Sequence, residues 1–264
     1  MAEKRVAPGQ GKASGVVKSS QSGSRKGFYI LIALVAVAGI GALSYLSGQT
    51  KKSSAIAIDP NLPPVASQGY VMGSPTAPLE VIEFGDFECP ACNQFAEITE
   101  PDVRAQYVNT GKIRFRFIDF LILSAHRNTV NASVAAACAD EQGRFWPMHD
   151  ILYAKQDEWN GEATNNPDKV IKSLAHTIPG LDPSKFDQCL DSRRTLPRVQ
   201  AHMKLGEDRQ VQGTPTFIIG TKQIELTGMD QFKAAVDAAL AATDTARTST
   251  TKSVKPAGKS SKKP

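Results

Sequence analysis

Cys89-Pro90-Ala91-Cys92 stands directly between a short β-rich run at 79–84 (LEVIEF) and a stretch of helical pattern at 90–108. That placement constrains the chain more than any other feature. A cysteine at a helix amino terminus faces unpaired backbone N–H groups and the positive end of the dipole, and both stabilise its thiolate. A second sulfur in the same turn can approach the first and resolve a mixed disulfide. Pro90 suits the first helical turn, where its missing N–H would have had no partner. A zinc site would need two further ligands, and no second Cys-x-x-Cys or pair of histidines at ligand spacing is present. Cys138 and Cys189 could complete one only through folding. A purely structural 89–92 bridge closes too small a loop to gain much entropy. Strand, Cys-x-x-Cys and helix arrive in the order that a redox centre requires, and no metal is expected.

The elements around the motif describe one folded body over 70–243. The helical pattern of 90–108 places Phe95, Ile98 and Val103 on its apolar side. Gly111 ends it, and 113–120 (IRFRFIDF) alternates as a strand before an apolar finish. From about 127 to 210 the pattern is helical, opening on the alanine-rich NASVAAACAD and broken at Gly143, Pro167, Pro179-Gly180 and Pro183. Residues 216–219 and 223–227 read as two strands joined by the hairpin Gly220-Thr221-Lys222, and 230–242 as a closing amphipathic helix. An α/β sandwich with a helical insertion follows.

Charge divides the chain differently. The whole carries +5, of which residues 1–27 hold +5 and residues 245–264 hold +6, so the body between them is acidic. Both basic stretches are tails, which argues against a nucleic-acid enzyme with a basic face. Residues 28–47 (FYILIALVAVAGIGALSYLS) are apolar and uncharged, and twenty helical residues span about 30 Å, the hydrocarbon thickness of a bilayer. Six bases precede this run and only Lys51 and Lys52 closely follow. The positive-inside rule then makes 1–27 a cytoplasmic tail, 28–47 a single transmembrane anchor, and everything beyond extracytoplasmic. The alternative is a signal peptide cleaved near Ala36-Val37-Ala38, with the body secreted. Residues 48–69, with Pro60, Pro63 and Pro64, read as an extended linker, and 244–264 as a disordered basic tail.

Three blocks carry a resemblance to a known family: Val81 to Cys92 (VIEFGDFECPAC), Ala137-Cys138-Ala139 with Gln142-Gly143-Arg144-Phe145-Trp146 and His149, and Val211-Gln212-Gly213-Thr214-Pro215-Thr216-Phe217. Together they make the chain resemble the DsbA-like branch of the thioredoxin superfamily, exported thiol–disulfide oxidoreductases, over about 75–243. The resemblance implies a thioredoxin fold whose insertion is the helical block. It implies a cis Pro215 lying against the Cys-x-x-Cys, with Thr214 pairing its backbone to substrate; composition alone shows only a turn before a strand. It implies a buried acid at Glu83 that shuttles a proton to the resolving sulfur, against the plainer reading of a solvent-facing or salt-bridged strand residue. For Cys138 and Cys189 it implies a structural disulfide, with two buried free thiols or a second redox pair as the alternatives.

The expected activity is disulfide introduction or exchange in exported proteins through Cys89 and Cys92. No cofactor is expected. The implied partners are substrate proteins with cysteine thiols and an integral-membrane, quinone-linked reoxidant of the DsbB or vitamin K epoxide reductase type. Ala91 departs from the histidine of the strongly oxidising members, so a weaker oxidant is expected, with a thiol reductase or isomerase on the same fold as rival. A non-catalytic peptide-binding or chaperone module is the rival from another class. No dimerisation domain is visible, and a monomer is expected. His126, His149, His176 and His202 lack ligand spacing and read as surface or capping residues, Phe145 and Trp146 as packing for the insertion, and the basic residues of 193–209 as a solvated helix face.

Overall fold

The computed structural model describes residues 24–48, 69–224 and 228–253. The chain divides into two units, residues 1–52 and 53–264. Helix α1 (Ser24–Gly48) forms the first and contains the apolar run. Its large apolar side chains from Phe28 to Leu34 are exposed. Among the described residues no helix is long and apolar enough to cross a membrane. The expected basic tail up to residue 23, the linker from 49 to 68 and the last residues from 254 lie outside the described residues.

The second unit is built on a five-stranded sheet in the order β1-β3-β2-β4-β5: β1 (Tyr70–Met72), β2 (Leu79–Gly85), β3 (Ile113–Asp119), β4 (Thr216–Ile219) and β5 (Lys222–Ile224). β2 runs parallel to β3 and antiparallel to β4, so it is flanked on both sides. Such a strand must bury both faces, and Val81 and Phe84 on its opposite faces are solvent-free. Register sets Glu83 opposite Phe117 on one side and Phe217 on the other. Edge strand β1 was not anticipated, being too short for an alternation to register. The hairpin forms at Gly220, which takes a positive φ of 61°. Residues 225–227 of the expected last strand lie outside the described residues.

The helical stretch after Cys89 departs from the regular period. It alternates α2 (Pro90–Gln94) and α3 (Glu100–Val103) with two wider π turns, Phe95–Thr99 and Arg104–Val108. Phe95, Thr99, Val103 and Tyr107 are all buried, a four-residue step that a 3.6-residue turn cannot keep on one face. Ile98, expected on the buried side, is therefore 68% exposed.

The insertion comprises α4 (Thr129–Asp140), α5 (Phe145–Ala154), α6 (Gln156–Trp159), α7 (Pro167–Ala175), α8 (Pro183–Ser192) and α9 (Leu196–Asp208). α4 is buried from Thr129 to Ala139, which its run of alanines permits by letting neighbours approach closely. Cys138 on α4 is bonded to Cys189 on α8, with Cα atoms 5.8 Å apart. The basic residues of 193–209 are not one solvated face. Arg193 pairs with Asp168, Arg194 with Glu141 and Arg198 with Asp140, and Arg198 also lies over the Tyr70 ring at 4.3 Å. Long arginine stems can cover apolar surface while their heads stay paired, which charge counting does not reveal.

Helix α10 (Met229–Ser253) closes the unit, with Phe232 and Val236 buried against Phe95 and Phe217. It runs well into the tail expected to lack order from 244. Once a helix is nucleated by packing, each further residue adds a hydrogen bond, so the pattern's end at 242 underestimates its length.

Candidate active site

Cys89 caps the start of α2, its backbone extended at φ −74° and ψ 123°. Its own N–H donates to the Asp86 carbonyl and its carbonyl accepts from Asn93 N–H, both at 3.0 Å. Those two bonds set the turn between β2 and the helix. Cys89 and Cys92 are free thiols, Cys89 keeping 7% exposure and Cys92 none. The opening to Cys89 is narrower than an accessible thiolate at a helix start suggests.

The two sulfurs are driven in opposite directions. The Cys89 thiol is lowered to about 5, chiefly because the Cys92 thiol donates to its anion. Burial opposes this, while the Thr214 side chain and the backbone N–H groups of Cys92 and Ala91 assist. In the protonated state Cys89 Sγ donates to the Thr214 carbonyl at 3.4 Å, a contact that favours the thiol. The donors outweigh it, and the buried Thr214 hydroxyl, which has no partner among the described residues when Cys89 is neutral, is one of them. Burial pushes the Cys92 thiol well up, and its hydrogen bond to Cys89 and the negative charge of that sulfur add to it. One sulfur is thus held as an anion and the other as a thiol.

The Thr214–Pro215 peptide is cis, and the Thr214 carbonyl contact places that loop against Cys89. Glu83 is 1% exposed on β2, neither solvent-facing nor salt-bridged. Its Oε2 has no partner among the described residues, and Gly85 leaves room for Oε1, since a Cβ there would come within 3.2 Å of it. Burial holds the Glu83 carboxyl protonated well above its usual range, with the Glu100 and Cys89 charges pushing the same way and Arg104 opposing.

Several residues of the site carry no sequence signal. Asp86, without exposure, accepts from the backbone N–H of Glu88 and of Ile122, both at 2.8 Å, from the Thr129 hydroxyl and from His126 at 2.6 Å. Glu88 accepts from Asn128 N–H at 2.6 Å and Gly161 N–H at 2.5 Å, latching the Cys-x-x-Cys turn to the insertion. Gln156 donates to the Phe87 carbonyl at 2.7 Å and the Cys89 carbonyl at 3.2 Å. Apart from the local Asp86–Glu88 bond, these join residues far apart in the chain, and no local pattern announces them.

The histidine expectation fails for two of the four. His149 and His202 are buried, each beside a buried carboxylate: His202 Nδ1 lies 2.7 Å from Asp119, and His149 Nε2 lies 3.7 Å from Glu100 while its Nδ1 lies 2.9 Å from the half-exposed Asp150. His126 is largely covered and bonded to Asp86, while His176 is partly exposed beside Asp187. Glu100, His149 and Asp150 bring ligand atoms within 4.8 Å of one another, a spacing a metal ion could use. Arg104 already supplies positive charge there, bonded to Glu100 and to both oxygens of Asp150 at 2.6–2.9 Å.

A family model described as Thioredoxin matches residues 66–238. The Na(+)/H(+) antiporter NhaA 3 of Salinispora tropica is 32% identical over 166 residues, covering 63% of this chain and 24% of that protein. The chain thus spans about a quarter of that relative's length. The probable disulfide bond formation protein D of Bacillus anthracis is 26% identical over 170 residues, covering 63% of this chain and 76% of that protein. Among solved structures, oxidised BdbD from Bacillus subtilis superposes with a TM-score of 0.58 at 24% identity, over 68% of this chain and 99% of that one. The sheet order, the inserted helices and the Cys-x-x-Cys at the head of its helix agree with these matches: the chain belongs to the thioredoxin family, in its DsbA-like branch.

Proposed function

We propose that the protein is a thiol–disulfide oxidoreductase that introduces or exchanges disulfides in exported proteins. The observation that carries this reading is the opposed character of its two active-site sulfurs, Cys89 lowered to about 5 and Cys92 raised by burial. A stable Cys89 thiolate stabilises the reduced enzyme, and a disulfide whose reduced form is stabilised is an oxidant. A substrate thiolate attacks Cys89 Sγ of the Cys89–Cys92 disulfide, the internal S–S bond breaks, and Cys92 leaves. A second substrate thiolate then attacks the substrate sulfur of the mixed disulfide and displaces Cys89, so that substrate is oxidised and enzyme reduced by two electrons. The Thr214–Pro215 loop beside Cys89 supports backbone pairing of the substrate chain there.

The catalytic unit sits outside the cytoplasm, tethered by residues 28–47. The charge-free apolar length of that run, its basic leader and the exposed apolar side chains of α1 support the tether. An integral-membrane quinone-linked protein of the DsbB or vitamin K epoxide reductase type restores the Cys89–Cys92 disulfide.

Mixing the oxidised protein with a peptide dithiol tests the reading. Peptide disulfide should form far faster than with glutathione disulfide alone, and Cys89→Ser should abolish it. Wild-type protein no faster than glutathione disulfide, with peptide binding retained in Cys89→Ser, would instead assign a binding module.

A further inference from the structure

We propose that Glu100 and His149 extend the proton path of the redox centre, connecting Glu83 to an open cleft bordered by Arg104 and Asp150. The inference rests on thiol–disulfide exchange at Cys89 and Cys92, and goes beyond the buried acid implied by family resemblance.

Besides the Thr214 hydroxyl, three buried polar atoms around the centre have no partner among the described residues: Glu83 Oε2, Glu100 Oε2 and His149 Nε2. Leaving one such atom unpaired costs about 1–3 kcal/mol, so three together require a reason. Two of them face each other, His149 Nε2 lying 3.7 Å from Glu100 Oε2. The other ring nitrogen, Nδ1, lies 2.9 Å from Asp150 Oδ1, so the ring bridges the two carboxylates and can take a proton at one nitrogen while releasing one from the other. Arg104 fixes both carboxylates, bonded to Glu100 Oε1 at 2.8 Å and to Asp150 at 2.6 and 2.9 Å. Asp150 is half exposed and borders a cleft of about 210 Å³ with Ala96, Glu97, Pro101 and Arg104. At the inner end, Glu83 lies within electrostatic reach of Glu100 and of both sulfurs. The remaining titratable group packed here, the Tyr153 phenol, is held protonated by burial and donates to the Asp86 carbonyl at 3.3 Å.

This arrangement meets a need of the chemistry. When an external thiolate attacks Cys89 Sγ, a new S–S bond forms, the Cys89–Cys92 bond breaks, and Cys92 departs carrying the electron pair into a site without solvent. Glu83, held neutral by its burial, gives that thiolate a proton. A proton entering from the cleft beside Asp150 joins His149 at Nδ1, the ring releases its Nε2 proton to the Glu100 carboxylate, and Glu100 passes a proton to the Glu83 carboxylate. Reoxidation runs the same transfers outward.

Dithiothreitol reduces the Cys89–Cys92 disulfide whatever the physiological substrate, so its reaction with the oxidised full-length chain isolates the proton path. In Glu100→Gln the amide oxygen still accepts from Arg104 but cannot ferry a proton. Reduction should slow at least about tenfold between pH 7 and 8, with a larger solvent deuterium isotope effect and partial recovery on adding imidazole as a small proton carrier. Removing the Glu100 charge should move the equilibrium with glutathione somewhat, but by much less than the rate falls, because a relay alters rates and not end states. His149→Gln should behave alike and serves if the first variant does not fold. An unchanged rate and isotope effect in either folded variant would overturn the proposal, as would a rate loss matched by an equal shift in the glutathione equilibrium. Failure of wild type to oxidise a peptide dithiol would sink the exchange reading and leave this measurement standing.

Discussion

The chain holds two pairs of cysteines that its fold treats in opposite ways. Cys138 and Cys189 lie on two packed helices, where the Thr195 hydroxyl 3.5 Å from Cys138 Sγ is already donating to the Val134 carbonyl, and they are bonded. Cys89 and Cys92 share one turn at a helix start, where backbone N–H groups, the Thr214 loop and a buried acid surround them, and they are free. Burial alone does not separate the pairs, since all four side chains are nearly or wholly covered. What differs is whether the surroundings distinguish one sulfur from its partner. A pair whose members differ in thiolate stability can release one sulfur and keep the other, whereas an equivalent pair in an apolar setting is a brace.

Removing Cys89 should break that contrast most sharply. Cys89→Ser should drop dithiol oxidation by orders of magnitude to background, read as peptide disulfide formed after acid quench. The double variant Cys138→Ala with Cys189→Ala should leave the exchange rate within about twofold. Its cost should fall on stability: closing a loop with a sequence separation of 51 is worth roughly 4 kcal/mol in the chain-entropy model, read as a lower urea midpoint. Similar losses of exchange in both variants would mean that the second pair also carries electrons.

Glu83→Gln sharpens the asymmetry from the acid side. A glutamine occupies the same space without a transferable proton, so exchange should slow by about a hundredfold, the lower range for a positioned acid or base. The reduction potential offers an independent check. With Cys89 titrating near 5 and Cys92 remaining protonated, two-electron reduction at neutral pH takes up one proton. The midpoint should therefore fall by ~30 mV per pH unit above about pH 5 and by ~59 mV below it. A single slope of ~59 mV through neutral pH would show that Cys89 is an ordinary thiol.

Much of this contrast is legible in the sequence because it is local. β2, the Cys-x-x-Cys turn and the helix start are contiguous, and propensity, spacing and Pro90 agree there. The hairpin at Gly220 announces itself in the same way. Glu83 is legible as an acid in an apolar strand, but that its Oε2 has no partner among the described residues reflects the apolar neighbours Phe117 and Phe217 set by register. The residues that complete the site are brought in from afar. Glu88 meets Gly161, Gln156 meets Cys89, and Glu100 meets His149, each pairing residues far apart in the chain. The π turns mislead even local reasoning, since an added residue per turn moves Ile98 outward and Glu100 inward. A fixed period cannot anticipate that.

The smallest effect concerns the turn that carries Cys89. His126 titrates above its ordinary value, first because it bonds Asp86, with burial opposing and the charges of Asp86, Cys89 and Glu88 assisting. A histidine whose pKa is raised on folding stabilises the protein fully below its unfolded pKa, near 6.5, and loses that contribution as pH rises through the folded value. His126→Gln should therefore lower the urea midpoint at pH 5.5 and do so progressively less toward pH 9. The partly exposed ring limits the effect to a modest shift. Asp86 also accepts from Glu88 N–H and, through its carbonyl, from Cys89 N–H, so the same loss should reach the redox turn. An equal midpoint shift at both pH values would mean that His126 braces this turn by packing and not by charge.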